Sequence, residues 1–138
     1  MQAFHSTIGF RLLAAALLLL VGCSSGQVFS RYEKLPPAFT RNGLISSSTY
    51  QVYVTVFGND EQEARFKGEQ EGQARAIELL LKEPFMSRFN YEKRKNDMVN
   101  IVRRHGRVVR VAQQSENTWG VVYHITQQGT LRRNLTGL

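Results

Sequence analysis

The stretch TYQVYVTVFGNDEQEARFKGEQEGQARAIELLLKE, residues 49–83, determines the fold. Its first nine residues are rich in valine, threonine and aromatic side chains, which alternate between two faces. A period of two is typical of a β-strand, so we predict a strand over residues 49–57. One face carries Tyr50, Val52, Val54 and Val56, and the other carries Gln51, Tyr53, Thr55 and Phe57.

The remainder of this stretch predicts a long helix. Asp60 stands where an N-cap is expected, and Glu63 follows three residues later, which is the capping-box pattern. We expect the helix to run from about Glu61 to Glu83 and to end before Pro84. Four ion pairs are expected on its exposed face, each with the acidic residue four positions before the basic one. Each would stabilise the helix by only about 0.2–0.5 kcal/mol. These pairs are Glu61–Arg65, Glu63–Lys67, Glu71–Arg75 and Glu78–Lys82.

Small residues recur at every fourth position of this helix. The stripe consists of Ala64, Gly68, Gly72 and Ala76, and Leu80 continues it. Each glycine inside a helix costs about 1 kcal/mol relative to alanine, so a compensating contact is expected. The simplest explanation is that this helix face approaches a sheet closely. The alternative is that the stripe docks a partner helix.

Downstream of residue 84, the pattern predicts a short helix, a hairpin and a last helical turn. The expected elements are a helix over residues 98–105, capped by Asp97 and stopped by Gly106, strands over residues 107–113 and 118–126, and a helical turn over residues 130–135. Residues 85–96 mix apolar and basic side chains and favour no element. The predicted fold class is therefore α+β, with a small three-stranded sheet packed by one long helix and one or two short helices.

The amino terminus predicts a lipoprotein signal peptide. Residues 12–22 form an apolar run of eleven, LLAAALLLLVG, whereas a membrane-spanning helix needs about 20 residues. The run has the length of a signal-peptide core. It ends in Leu20-Val21-Gly22-Cys23, which resembles the bacterial lipobox.

The lipobox resemblance implies a lipid on the Cys23 sulfur, cleavage after Gly22, and acylation of the new amino terminus by a chain such as palmitate. Several acyl chains together anchor a protein stably at a bilayer. An ordinary cleaved signal peptide and a single membrane anchor are the alternatives. Ser24, rather than an acidic residue, follows the cysteine. In two-membrane bacteria this resembles export to the outer membrane, with the inner membrane the less favoured destination.

Three segments follow from this interpretation: residues 1–22 as the signal peptide, 23–48 as the lipidated amino terminus and tether, and 49–138 as the α+β domain. The predicted tether contains serines, two glycines and Pro36-Pro37, and it shows no sustained period of 2 or 3.6. That composition is typical of a flexible linker that the two prolines stiffen locally.

Positive charge is concentrated in the second half of the chain. The formal net charge is +7, and residues 84–138 hold ten Lys or Arg against three Asp or Glu. For an exported protein we expect no nucleic acid, but rather anionic lipid headgroups, cell-wall polymers or an acidic protein face. A solvated basic surface is the alternative. The candidate binding residues are Lys93, Arg94, Lys95, Arg103, Arg104, Arg107 and Arg110, with Arg132 and Arg133 beyond them.

Catalytic patterns are not evident. His105 and His124 are the histidines that follow the leader, and they lie on different predicted elements without a nearby cysteine or acidic pair. We interpret both as surface or sheet-face residues. The sequence holds no nucleophile-elbow serine and no general acid–base set. We therefore expect no enzyme activity, no cofactor and no metal.

The segment from Tyr50 to Leu135 resembles a class of small envelope lipoproteins and flagellar accessory domains, the P- and T-type flagellar-assembly proteins and their relatives. The shared features are a strand ending in glycine at 53–58, small residues at every fourth helical position, and a hairpin that closes near a Gly-x-Leu step at 129–131. The resemblance implies a non-enzymatic, envelope-anchored assembly role. It carries over no functional residue except the lipidated Cys23.

The sequence thus predicts a lipid-anchored, non-catalytic interaction module at the outer membrane that docks an envelope protein through its basic half or an exposed sheet edge. The alternative is a binder of an anionic envelope polymer or lipid through the basic carboxy-terminal half.

Overall fold

The structure, a computed structural model, describes residues 31–84, 91–128 and 131–136. The chain divides into two units, Met1–Arg31 and Tyr32–Leu138. All elements below belong to the second unit. The predicted signal peptide and Cys23 lie outside the described residues.

The described elements form one mixed helix-and-sheet unit. In chain order they are α1 (Pro37–Thr40), β1 (Gly43–Leu44), β2 (Thr49–Phe57), α2 (Glu61–Leu81), α3 (Tyr91–His105), β3 (Gly106–Ser115), β4 (Thr118–Thr126) and α4 (Leu131–Thr136). The strands form one antiparallel sheet in the order β1-β2-β4-β3. The α+β class is confirmed.

The expectation of three strands is wrong, because the sheet has four. The additional strand, β1, lies inside the predicted tether, where Gly43 pairs with Gln51 and Leu44 pairs with Tyr50. A two-residue strand is too short to show an alternating pattern, so it could not be predicted from periodicity.

The amino terminus of α2 forms as predicted. The Asp60 carboxylate accepts a hydrogen bond from the Glu63 N–H at 2.8 Å. In a capping box the Glu63 carboxylate would accept from the Asp60 N–H. Here it accepts from the N–H of Asn59, one residue earlier, at 2.9 Å. The helix ends at Leu81, two residues before the expected end.

Three of the four expected ion pairs form on α2, with Arg65, Lys67 and Lys82 bound to the acids that precede them. The fourth is replaced, because Arg75 pairs with Glu78 at 2.6 Å. Among the described residues, no helix is long and apolar enough to cross a membrane.

The small-residue stripe of α2 lies directly on the sheet. A Cβ atom added at Gly68 would lie 2.6 Å from methyl carbons of Val121, and one added at Gly72 would lie 2.8 Å from the Tyr123 side chain. Both distances are well below van der Waals contact, so the glycines set the separation between helix and strand. The interpretation of the stripe as intramolecular packing is confirmed.

We call the face of the sheet that α2 covers the helix side, and it holds the main core. Helices α3 and α4 close the same face. The buried cluster consists of Tyr50, Val52, Ala76, Leu80, Met98, Val102, Tyr123, Ile125, Leu131 and Leu135. The face of β2 that carries Tyr50, Val52 and Val56 is buried on this side of the sheet, as is the face of β4 that carries Trp119, Val121, Tyr123 and Ile125.

Helix α3 is longer than expected. It begins at Tyr91 rather than at Met98, and Asp97 lies inside it instead of capping it. Its first turns lie largely at the surface, so the apolar period becomes visible only from Met98 onward. The helix passes directly into β3 at Gly106, where an added Cβ would collide with the Tyr123 hydroxyl. That hydroxyl donates to the Val102 carbonyl oxygen at 3.4 Å.

The opposite face of the sheet is crossed by residues 33–42, which we call the strap. Leu35 is only 4% exposed and packs with Ala112 and Val122 in a second apolar cluster. The Glu33 N–H donates to the Gln113 carbonyl oxygen at 2.9 Å, at the outer edge of β3.

A buried glutamine fixes the other end of the strap. Gln51 is 2% exposed, and its amide nitrogen donates to the carbonyl oxygens of Ala38 and Arg41 at 2.8 and 2.9 Å. The predicted tether is therefore corrected, because residues 33–48 belong to the folded unit. Its remaining part, residues 23–30, lies outside the described residues. The strap bonds the sheet through irregular backbone, and such bonds leave no periodic pattern in a sequence.

Replacing Gly72 with alanine should lower the free energy of unfolding by about 1–3 kcal/mol, because the new methyl group overlaps the Tyr123 side chain. Urea unfolding measures this. Gln70→Ala, on the exposed face of the same helix, should change stability by less than about 0.5 kcal/mol. A more stable Gly72→Ala protein would contradict the close packing, since alanine's helix preference of about 1 kcal/mol would then act unopposed.

Replacing Leu35 with alanine should cost about 2–4 kcal/mol, because the strap loses its buried anchor and leaves a cavity over Ala112 and Val122. Lys34→Ala is the matched control. Lys34 is the exposed neighbour of Leu35, so its truncation should change the free energy of unfolding by less than about 0.5 kcal/mol. Equal stability of the two variants in thermal unfolding would mean that residues 33–42 are a tether after all.

Candidate functional site

The seven predicted binding residues divide between two elements. Lys93, Arg94, Lys95, Arg103 and Arg104 lie on α3, whereas Arg107 and Arg110 lie on β3. Antiparallel partners share a sheet face, and the partners of Arg107 and Arg110 are His124 and Val122 on the strap side. The structure therefore does not bring the seven residues into one patch.

Arg110 has a role within the fold. Its guanidinium forms an ion pair with Glu33 of the strap and lies 5.1 Å from the centre of the Phe39 ring. Both contacts hold the strap against β3. Arg110 therefore has a structural role in addition to its predicted place among the binding residues.

Arg107 has a different environment on the same strand. It lies directly opposite His124 in the β3–β4 register, and His105 ends the helix two residues earlier. These side chains line one open cleft of about 340 Å³, which we call the histidine cleft. Its full lining is His105, Arg107, Val109, His124, Thr126 and Gln128. The two histidines lie on different elements, as predicted, and the fold brings both to this cleft.

A second cleft, of about 370 Å³, shares His105 with the first. Its lining is Asp97, Asn100, Ile101, Arg104, His105, Gln127 and Asn134. The Asn134 amide nitrogen donates to the Gln127 side-chain oxygen at 3.0 Å, which links α4 to the end of β4. Asp97 is the one acidic side chain that lines either cleft.

The tautomer of His124 follows from its hydrogen bonds. The two amide protons of Gln51 are given to the main-chain oxygens of the strap, so its side-chain oxygen must accept. That oxygen lies 2.9 Å from His124 Nε2, which therefore carries a proton. In the neutral ring, Nδ1 is the atom left to accept a proton. Burial lowers the pKa of His124 below its ordinary value.

Two explanations compete for the positive charge at this end of the domain. Arg103, Arg104 and His105 lie in the last turn of α3, where cations offset the negative end of the helix dipole. That effect accounts for these three residues without a ligand. It does not account for Arg107 and His124, which lie on strands. Arg107 and His124 are therefore the residues that distinguish an anion-binding site from charges that only stabilise the end of α3.

The cleft offers hydrogen-bond donors and positive charge. A guanidinium group presents a planar fork of N–H donors that fits oxyanions, and protonated imidazoles add further donors. Among the described residues, no group of three or more His, Cys, Asp and Glu side chains is arranged to hold a metal ion. The donors and the positive charge suit the recognition of an anion.

The outer edge of β2 is a second candidate surface. β1 pairs only with Tyr50 and Gln51, and no other strand in the described part of the chain lies along the edge beyond them. The Tyr53 N–H donates to the Asn42 side-chain oxygen at 2.8 Å, and Lys67 Nζ donates to the Phe57 carbonyl oxygen at 2.9 Å. The Phe57 side chain is 72% exposed. An open groove lies beside it, lined by Thr55, Val56, Phe57, Lys67, Gln70 and Glu71.

Comparisons of the chain with protein-family models, with curated proteins and with solved structures give no match.

Acidification should destabilise the fold through His124. Its folded-state pKa lies below the ordinary value of 6.5, so its contribution to stability is present above that value and is lost as the pH falls through the folded-state pKa. Urea unfolding between pH 7.5 and pH 5 should show this loss. The His124→Gln variant, which can still donate to Gln51, should show a shallower pH dependence. Identical slopes for the two proteins would contradict the assignment.

Proposed function

We propose that this chain is a lipid-anchored protein of the bacterial outer membrane whose domain acts as a non-catalytic interaction module. The observation that carries the proposal is Leu20-Val21-Gly22-Cys23 at the end of an apolar run of eleven residues. A lipidated cysteine at that position anchors the chain, because several acyl chains bind a bilayer stably. The resemblance of the domain to small envelope assembly proteins agrees with this role.

The short distance along the chain between the proposed anchor and the domain supports a task at the membrane surface. Cys23 stands nine positions before Tyr32, where the second unit begins. Nine extended residues span at most about 30 Å. A tether reaching to residue 48 would have allowed almost three times that distance. The partner of the domain is therefore expected on or close to the same membrane.

The edge of β2 is the surface that best fits a protein partner. Alternate residues of a strand point their main-chain groups to the same side. Thr55 lies midway between Tyr53 and Phe57, both of which bond side chains at the free edge. The Thr55 N–H and C=O groups therefore also point to the free edge. They can pair with an extended segment of another envelope protein. Lys67 and Asn42 limit this edge to a short docking strand.

Binding of an anionic envelope component is the second candidate function. The histidine cleft favours it, because Arg107 and His124 face each other there. The two functions are compatible, since the β2 edge and the cleft lie at opposite edges of the β2-β4-β3 part of the sheet.

Replacing Cys23 with alanine should move the protein out of the membrane-anchored state. Fractionation of cells and metabolic labelling with a palmitate analogue measure this, and the wild-type chain should carry label in the outer-membrane fraction. Unlabelled wild-type protein, or equal labelling of the Cys23→Ala variant, would contradict the anchor.

A photo-crosslinking residue at position 55 should give one discrete protein adduct in cells, because Thr55 lies on the exposed edge. The same residue at position 74, on the exposed face of α2, is the matched control. The adduct should disappear in the Cys23→Ala background. Equal adducts from positions 55 and 74 would contradict docking at the edge of β2.

A further inference from the structure

We infer that the histidine cleft is a binding site for a phosphate group, held by Arg107 and by the two imidazoles of His105 and His124. This inference deepens the proposed function by giving the module a ligand chemistry, and the part that concerns free phosphate does not depend on the lipid anchor.

The register of the sheet places the principal groups close together. Arg107 and His124 are direct cross-strand partners on one face, and the Cβ atoms of such partners lie about 4.5–5.5 Å apart. His105 reaches the same cleft from the end of α3. A single oxyanion can therefore contact groups from a helix and two strands.

Arg107 lacks the kind of partner that Arg110 has. The two arginines lie three positions apart on the same strand and the same face. Arg110 is paired with Glu33, whereas no carboxylate in the described part of the chain lies within ion-pair distance of Arg107. Among the described residues, those that line the cleft include no acidic side chain. The guanidinium is thus available to an external anion.

An anion would resolve an unfavourable arrangement in the cleft. Protonation of His124 places a second positive charge directly opposite Arg107, and like charges at such positions destabilise a sheet. His105 is the other titratable side chain of the cleft. On the strap, Gln51 bonds the main chain of Arg41, whose side chain is exposed. An anion between Arg107 and His124 offsets the repulsion. Its binding should therefore strengthen as the pH falls and His124 takes up a proton.

The distribution of donors favours phosphate over carboxylate. The cleft is lined by Arg107 of β3, by His124 and Thr126 of β4, and by His105 at the end of α3. A phosphate group presents three free oxygens in a tetrahedral arrangement and can accept from several walls at once, whereas a carboxylate presents two oxygens in one plane. The group can belong to a lipid headgroup or to free phosphate, and the experiment separates these sources.

The test is a proton NMR titration of the full-length protein in neutral detergent micelles, observing the imidazole Cε1–H signals. One arm adds inorganic phosphate. The other dopes the micelles with phosphatidic acid, with phosphatidylcholine as its control. A saturable shift of the His124 signal, identified with the His124→Gln variant, is expected in at least one arm. Saturation with inorganic phosphate identifies a free-phosphate site, and saturation with phosphatidic acid alone identifies a headgroup site.

Two variants make the result specific. Arg107→Gln should weaken the affinity about tenfold or more, as expected for the loss of a charge-assisted hydrogen bond. Arg65→Gln removes the same charge from an exposed residue of α2 that lines neither cleft, and it should change the affinity less than about twofold, because exposed charges at a distance are screened by salt. Equal weakening by both variants, or no saturable shift in either arm, would overturn the inference.

The pH dependence provides an independent readout. The ratio of the wild-type affinity to that of His124→Gln should grow as the pH falls from 7.5 to 5.5, and taking the ratio cancels the titration of phosphate itself. A constant ratio would overturn the assigned role of His124. Loss of phosphate binding with an intact palmitate label would reject this site alone, and loss of the label with intact binding would reject only the anchor.

Discussion

The close approach of α2 to β4 is the contact on which the rest of the domain depends. Gly68 and Gly72 leave no room for a Cβ between the helix and the side chains of Val121 and Tyr123. Because α2 lies so close to the sheet, the Tyr123 side chain fills the space between them. It extends to the end of α3, where its hydroxyl donates to the Val102 carbonyl oxygen. One tyrosine thus connects α2, β4 and α3, and it fixes the point where α3 becomes β3. The histidine cleft lies at that same junction.

The strap side of the sheet is organised by a polar group instead. Gln51 is almost completely buried, and its amide satisfies two carbonyl oxygens of the strap and one imidazole nitrogen. A buried amide with unmet hydrogen bonds would be costly, so the strap and His124 are positioned by the same side chain. The segment nearest the proposed lipid anchor and the proposed phosphate site are therefore linked through one residue.

Much of the helix side could be predicted from the sequence, because its signals are periodic or local. The alternation in β2 and β4, the Asp60 cap and the glycine stripe each appear within a few residues. The strap could not be predicted, since its bonds join residues far apart in sequence, as between Glu33 and Gln113. The same limitation applies to the site. His105 and His124 meet only because of the strand register, and Arg110 differs from Arg107 only because Glu33 lies beside it.

The path of the strap has a mechanical consequence. A pull on the chain ahead of residue 33 enters the domain at the outer edge of β3, where it first loads the Glu33 bond to Gln113 and the ion pair to Arg110. Leu35 must then leave its cluster before any load reaches Gln51. The contacts are thus loaded one after another, so the strap can peel from its outer end while the glycine contacts of α2 with β4 bear no force. A pull can thus release several residues of the strap from the sheet while the main core of the domain stays folded.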